Sequence, residues 1–567
     1  MTTSKRLFTN GRIFTSVEED TTLHEAMALD GNTVEYVGSS VEAERLYSKS
    51  GPIIDLEGRV VLPGIIDAHT HLIMFGSSFT KVNMLGLDAS QIQKALVDAR
   101  VSRPNAEYLC GKAFLFDAIG ETPHRRILDE VIPDIPVFID SADLHSCWLN
   151  SKAIEVMGIT ADTPNPVGGE FVKDDQGNLT GLFLETAVAD HVWPYIASLL
   201  TLQDRLNLLD IAFEAYLATG VTGLADMAME EQDLQALEEY HKSRPGGIPI
   251  PVHAYWIVSP KGTPEEHLET VRNAASHRDR LARLDSDIPL TINGIKIISD
   301  GVVDSCTAYL SQPYADASLP GPIWTLDQLK SVIALADSLA LQTAVHAIGD
   351  AASSSALDAF EYAIAINPPR PAPRFRIEHL EVVSKASIER LTRLGVVASL
   401  QPVHADPIYV PNWRKQLGED ERCDRAFPWT EYHVAHSHVA FGSDAPTAPH
   451  HPFPNLYTAT TRRSGIDPKL APPTDPRILA LDRFNLKLET AIRYYTAGSA
   501  YSLKVGDTKG QLRPGSSADF CVLSIDPFAD GVETLREAQA GVMQTWVGGK
   551  RIWSKSITCT QIEDERS

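Results

Sequence analysis

Val60-Val61-Leu62-Pro63-Gly64-Ile65-Ile66-Asp67-Ala68-His69-Thr70-His71-Leu72 is the stretch on which the reading of the chain turns. It has the texture of a short buried strand: an apolar run interrupted by Pro-Gly, then Ile65-Ile66, ending in His69-Thr70-His71. Side chains alternate faces along a strand, so His69 and His71 are expected on one face and Thr70 on the other. Two imidazoles one strand repeat apart can reach a single metal ion, and neutral imidazole is the commonest protein ligand for zinc and its neighbours. Alone, His-x-His is a weak signal and more often a pair of ordinary histidines at a strand end. Its meaning depends on what the rest of the chain brings to it.

At 567 residues the chain is longer than one ordinary domain and suggests a large domain with a smaller one. Hydrophobic residues at 43% and charged residues at 22% describe a globular protein and exclude a disordered one. The net charge of −24, from 74 acidic and 50 basic residues, argues against nucleic acid or an anionic membrane as partner. A small-molecule substrate is the expected partner, and the oligomeric state is left open, a homodimer included. The opening residues Met1 to Asn10 lack the apolar core of a secretory signal, and no apolar run approaches the roughly 18 residues of a membrane span. Cys110, Cys147, Cys306, Cys423, Cys521 and Cys559 show no Cys-x-x-Cys pairing, the pattern of reduced thiols. A cytoplasmic protein is expected.

Residues 1–62 are strand-like and turn-rich, and Asn10-Gly11 predicts a tight hairpin. Residues 506–567 share that texture, so the two ends are expected to pair into one small β-sandwich flanking residues 63–505. The middle alternates strand-like and helix-like segments. After the strand ending in His71, strands are expected at 220–226, 248–255, 294–300, 342–347, 375–380, 396–402 and 439–444, with helices such as 326–340 and 351–365 between them. Eight such units predict a (β/α)8 TIM-type barrel. The helix after strand 1 is expected late, because residues 78–200 form a long excursion, read as an inserted lid subdomain.

Barrel chemistry takes place where strands end, so the polar residues there matter. Strand 4 contains Lys296, strand 5 His346 and strand 6 His379, while strand 8 ends in Asp444. A lysine inside an apolar strand is costly unless it is paired or chemically modified.

The pattern Leu62-Pro63-Gly64-x-Ile66-Asp67-x-His69-x-His71 resembles the strand-1 signature of the amidohydrolase superfamily. By that resemblance His69 and His71 hold one metal ion and His346 and His379 a second. Lys296, carboxylated by CO2, bridges the two as a carbamate, and Asp444 binds the first ion and handles protons. The implied metal is zinc, one or two ions, with other divalent metals also able to serve. Within the superfamily the chain is most similar to the amidohydrolase-3 group, the YtcJ-like and N-substituted formamide deformylase-like proteins. The motifs that carry this are His145-Ser146-Cys147-Trp148-Leu149-Asn150-Ser151-Lys152-Ala153, Pro166-Val167-Gly168-Gly169-Glu170, Thr180 to Glu185, Gln401-Pro402-Val403-His404, Arg425 to Trp429 and Ile525 to Phe528. Two departures bear on the substrate pocket: Leu144 stands where the group usually has Gly, and Val302-Val303-Asp304-Ser305-Cys306 replaces a run of small polar residues.

His404 is a candidate donor to a substrate carbonyl oxygen, and His145 and Glu185 are candidate substrate contacts. Cys306 is not read as a nucleophile. His450-His451 is read as a solvated loop, since adjacent residues of an extended chain face opposite sides, and Asp350 as a helix cap. The expected activity is hydrolysis of a C–N amide bond, of the N-acyl or N-formyl amine type, with Asp444 and His404 as catalytic groups. The alternatives are a decarboxylase or other non-amide hydrolase on the same barrel, and a non-catalytic scaffold.

Overall fold

The computed structural model describes residues 5–555 apart from 143, 167, 284–287, 419–420, 468–481 and 537–540, and the side chain of Asp117. Val167 and Cys559 therefore lie outside the described residues, whereas the other five cysteines are all free thiols.

Eight parallel strands form one sheet: β1 (Ile65–Thr70), β2 (Val221–Met229), β3 (Val252–Ile257), β4 (Leu290–Ile298), β5 (Gln342–Ala347), β6 (Phe375–His379), β7 (Val397–Leu400) and β8 (Val439–Phe441). They neighbour one another in chain order, and a parallel bridge between Thr70 and Ala445 joins the two edges, which nearly closes a TIM-type barrel. Isoleucine, alanine and valine are the commonest residues of these strands because both faces are buried, one by the barrel interior and one by helices. The helix Leu326–Ser338 shows how the outer layer is encoded. Thr325 and Gln328 close a capping box at its start, and Leu329, Val332, Ile333 and Ala336 recur at helical spacing on its buried face.

The stretch around His69 is divided differently from the expectation. Val60–Pro63 is not part of the barrel strand; it pairs antiparallel with Phe520–Leu523. Gly64 makes the handover, since a Cβ there would lie 2.1 Å from Thr222 Oγ1. Both chain ends contribute to a five-stranded sheet of Arg12–Ile13, Val60–Pro63, Phe520–Leu523, Val542–Val547 and Lys550–Ser554. A second sheet holds Thr33–Gly38, Ala26–Asp30, Lys5–Thr9 and Ile53–Asp55. Phe8 from one sheet packs edge-on against Phe520 and Trp546 of the other, at ring distances of 5.4 and 5.3 Å. Asn10-Gly11 is not a hairpin, because Lys5–Thr9 and Arg12–Ile13 lie in different sheets. Asn10 takes a left-handed φ of 55° and donates to Asp55, so the turn's bonds go to other segments and the chain crosses between sheets.

A helix, Leu72–Ser78, follows β1 directly, and a second, Leu202–Leu217, packs on it before β2. The helix expected late is thus the second of two. Between them lies a six-stranded sheet of Gly169–Lys173, Leu179–Glu185, Ser146–Leu149, Val137–Ser141, Leu109–Phe114 and Val82–Asn83. Buried Asn150 organises it: its Oδ1 accepts from Val137 and Ala153 and its Nδ2 donates to the carbonyls of Ile132 and Ile135. Its place at the start of the helix Ser151–Val156 explains the Asn-Ser-x-Ala motif as a structural one.

Candidate metal centre

At the C-terminal ends of the barrel strands a cavity of about 460 Å³ opens, lined by the barrel and by the inserted sheet. His69, His71, Lys296, His346, His379, His404, Asp444, His145 and Glu185 all line it. Asp444 lies three residues beyond β8, and its position is set by β1. Its N–H donates to the His69 carbonyl at 2.7 Å, and Ala445 accepts from the His71 N–H at 2.9 Å. Buried Asp67 fixes the same junction by accepting from the Ser443 backbone and hydroxyl. With φ at 59° for Asp444 and 75° for His379, the backbone is strained where the polar groups converge.

The Asp444 carboxylate is the centre of the cluster. His71 Nε2 lies 3.1 Å and His69 Nε2 3.3 Å from its Oδ1, while His404 Nε2 lies 3.5 Å and His379 Nδ1 4.0 Å from its Oδ2. Burial alone would raise its pKa, but the imidazoles of His69, His71 and His379 hold it well below the usual carboxylate range. Burial also keeps the imidazoles neutral: His69 falls to about 4, and His346 and His379 lie well below the ordinary histidine value. Neutral imidazole and ionised carboxylate are the forms that bind metals. Lys296, buried with its Nζ 3.4 Å from His69 Nε2, is lowered to about 8 by burial.

Other groups orient the cluster. His69 Nδ1 is 2.7 Å from Glu378, which fixes the ring and turns Nε2 toward Asp444 and Lys296. Glu378 is itself held by Arg376, with both side chains fully buried; burial opposes its charge, but Arg376 and His69 keep its carboxyl well below the usual range. Glu381 accepts from His404 Nδ1 at 3.0 Å and raises that histidine's pKa against the effect of burial. His346 donates to the Gly301 carbonyl at 3.3 Å, and its ring lies 4.4 Å from that of His379. His145 and Glu185 pair with one another at 2.7 Å, and Glu185 also accepts from Ser305 and Thr307.

The donor set fits a divalent ion. Ligand atoms of His69, His379 and Asp444 all lie within 4.8 Å of one another, and so do those of His379, Glu381 and His404. The buried His379 Nδ1 and His404 Nε2 have no hydrogen-bond partner, as expected of atoms that meet a ligand. His346 belongs to neither group, although its ring touches that of His379.

Sequence reasoning missed Arg376, Glu378 and Glu381. Arg376 and Glu378 carried a signal, being two charges at i and i+2 in an apolar strand, hence on one buried face. Glu381 carried none. Two other readings are corrected. His450 is not in a solvated loop: its ring packs 4.7 Å from Phe75 and 5.7 Å from Tyr216, and His451 is buried. Gly349 rather than Asp350 caps the helix Asp350–Ile366, and Asp350 instead accepts from Ser311. Glu185, a candidate substrate contact, has its side chain buried beside His145.

A near-closed (β/α)8 barrel with imidazoles, a carboxylate and a buried lysine converging at its mouth defines a class of barrel proteins built for hydrolytic chemistry. The chain belongs to the amidohydrolase family (Amidohydro_3), which it matches over residues 52–553. It is similar to the putative amidohydrolase YtcJ of Bacillus subtilis, 29% identical over 97% of this chain and 100% of that protein. It is also similar to the N-substituted formamide deformylase of Arthrobacter pascens, 26% identical over 93% of this chain and 94% of that one. Among solved structures, an uncharacterised metal-dependent hydrolase from Pyrococcus horikoshii superposes with a TM-score of 0.74 at 26% identity, covering 94% of this chain and 99% of the other.

Proposed function

We propose that the protein is a metal-dependent hydrolase that cleaves the C–N bond of an amide of the N-acyl or N-formyl amine type. The observation that carries this reading is one ionised carboxylate, Asp444, ringed by four imidazoles, two of which present unpartnered buried nitrogens. The similarity to the Pyrococcus metal-dependent hydrolase supports metal dependence, and that to the Arthrobacter deformylase supports the amide bond.

On this reading His69, His71 and Asp444 would hold one ion and His346 and His379 a second, with Lys296, carboxylated by CO2, serving both. The lowered pKa of Lys296 keeps part of it as free amine near neutral pH, the form that captures CO2. A bound divalent ion, zinc by default, lowers the pKa of water toward neutrality and polarises a carbonyl. Asp444 takes the proton from the attacking water and returns it to the leaving amine. His404, held by Glu381, donates from Nε2 to the developing oxyanion. His145 and Glu185 contact the substrate. The two sheets of residues 1–62 and 506–567 are read as a β-sandwich beside the barrel of residues 63–505, and residues 78–200 as a lid over its mouth. No helix among the described residues is long and apolar enough to cross a membrane. A cytoplasmic enzyme acting on a small molecule, as a monomer or homodimer, is the corresponding proposal.

Metal content of protein purified without chelator, by inductively coupled plasma mass spectrometry, tests the site. About two ions per chain are expected, falling in Lys296→Met; none after addition of zinc and bicarbonate would sink the reading. Product analysis tests the reaction, with amine release expected and CO2 release pointing to a decarboxylase.

A further inference from the structure

The polar cluster stands at one end of a column of buried polar groups that runs through the barrel to its opposite, N-terminal end. Gln342, the first residue of β5, lies at that floor, and its Nε2 donates to the backbone carbonyls of Pro373 at 3.3 Å and Ser502 at 3.1 Å. Only the amide nitrogen can meet two carbonyls, so Gln342 Oε1 faces the other way, toward the hydroxyl of Tyr255 on β3. Tyr255 therefore gives its proton to Gln342 and leaves a lone pair for Arg376 Nη1, 3.5 Å away. Ser502 Oγ accepts from the same Nη1 at 3.4 Å, its own proton going to the Ser499 carbonyl. Tyr255, Gln342, Arg376, Glu378 and Ser502 are all fully buried, so bulk water does not compete for these bonds.

The guanidinium hands this order upward, because its five N–H bonds have fixed directions. Nε and Nη2 grip the two oxygens of Glu378 at 2.5 and 3.1 Å, and Nη2 also meets the Ala68 carbonyl and the Ser399 hydroxyl. Among the described residues, Nη1 has the two hydroxyls of Tyr255 and Ser502 as its hydrogen-bond acceptors. A carboxylate gripped by arginine is ionised and can only accept. His69 Nδ1, 2.7 Å from Glu378, thus carries the ring proton, and Nε2 presents its lone pair to the cavity. The Gln401 amide nitrogen approaches the same Nδ1 only to 3.4 Å.

We infer that Tyr255 and Gln342 are positioning residues of the metal centre: from the barrel floor they set the direction of each hydrogen bond up to His69 and hold its Nε2 ready to accept a metal ion. They touch neither metal nor substrate and act through Arg376 and Glu378. Loss of the Tyr255 hydroxyl leaves Gln342 Oε1 without a donor and Nη1 with a single acceptor, and the guanidinium is freed to tilt and take Glu378 with it. The inference rests on the metal-binding part of the proposed function and not on which bond is cleaved.

The test reads the zinc affinity of the folded protein by competition with a chromophoric chelator. Urea unfolding of the metal-free chain and the visible spectrum of the cobalt(II)-substituted protein are measured beside it. Tyr255→Phe, which keeps the ring, and Gln342→Met are each expected to weaken zinc binding about tenfold and to shift the cobalt bands. Ser502→Ala is expected to do so less, and Tyr255→Phe with Ser502→Ala more than either alone. Asn150→Ala, which disturbs the inserted sheet and has no bond to the column, is expected to lower stability and leave zinc affinity and cobalt spectrum native. Native zinc affinity in Tyr255→Phe and Gln342→Met, with stability alone reduced, would overturn the inference. Should those two variants fail to fold, Ser502→Ala decides by the same readings. No zinc bound by the native protein would overturn the metal reading and this inference with it. Weakened zinc binding in the variants of a protein that releases no amine would leave the inference standing and remove the amide reading.

Discussion

Asp444 is where the chemistry of single residues is most exposed to test. Its two oxygens divide the surrounding histidines, His69 and His71 on one side and His379 and His404 on the other. Asp444→Asn keeps the shape but removes the proton acceptor, and kcat is expected to fall by about 10³-fold or more with the far-ultraviolet circular dichroism unchanged. His404 allows a finer test. Its Nδ1 proton is engaged by Glu381, so Nε2 carries a proton only when the ring is charged. Glu381 raises the pKa of His404, and activity that needs the charged ring is lost as pH rises through that raised value. Glu381→Gln is therefore expected to move the alkaline limb of the kcat profile to lower pH. An unmoved limb would assign it to another group.

At the scale of elements, β6 and the inserted sheet are each held by one buried polar side chain with several partners. Arg376 donates from Nη2 to the Ala68 carbonyl of β1, to Glu378 of its own strand and to Ser399 of β7. One guanidinium thus ties strands that are not adjacent. Glu378→Gln leaves that buried charge uncompensated and is expected to cost about 3–5 kcal/mol in urea unfolding, whereas Arg376→Met with Glu378→Met is expected to cost less than Glu378→Gln alone. Asn150 plays the same part in the insertion. Asn150→Ala removes a cap and strands buried backbone groups, with an expected loss of about 2–3 kcal/mol. Limited proteolysis would then be expected to cut within residues 82–185, ahead of the barrel.

For the molecule as a whole, acid stability follows from histidines buried without charge. His253, 7% exposed at the start of β3, is lowered to about 4 by burial. His450 is lowered to about 3 by burial among aromatic rings. The unfolded chain binds these protons near pH 6.5 and the folded chain does not, so stability rises with pH between about 4 and 6.5 and is lost as pH falls through that window. His253 alone accounts for an effect of order 3 kcal/mol by this linkage. Urea midpoints measured at pH 5 and pH 7 should differ in the metal-free protein, and His253→Gln should reduce the difference. No change between the two pH values would contradict the burial argument.

The order of the eight strands and the place of Lys296, His346, His379 and Asp444 near their ends were legible because they are local patterns. An apolar run with a polar residue at its end can be read from a few neighbours, and strand alternation tells which side chains share a face. That logic worked for His69 and His71, which both reach Asp444. It failed across Val60 to Ile66, where an apolar run interrupted by Pro-Gly is divided between two sheets and the lack of room for a Cβ beside Thr222 places glycine at the boundary. It failed at Asn10-Gly11, whose hydrogen bonds go to residues dozens of positions away, and at His450, whose surroundings come from two distant helices.

The sequence by itself therefore determined the barrel and the histidines, lysine and Asp444 that line its mouth, since both follow from period and residue type. Only the tertiary structure decided how those residues act on one another: Glu378 on His69, Glu381 on His404, Glu185 on His145. It alone also decided that hydrogen bonds run from Gln342 at the barrel floor to His69. The physical reason is that charge state, orientation and exclusion of water depend on distances between groups far apart in the chain, and chain closure alone sets those distances.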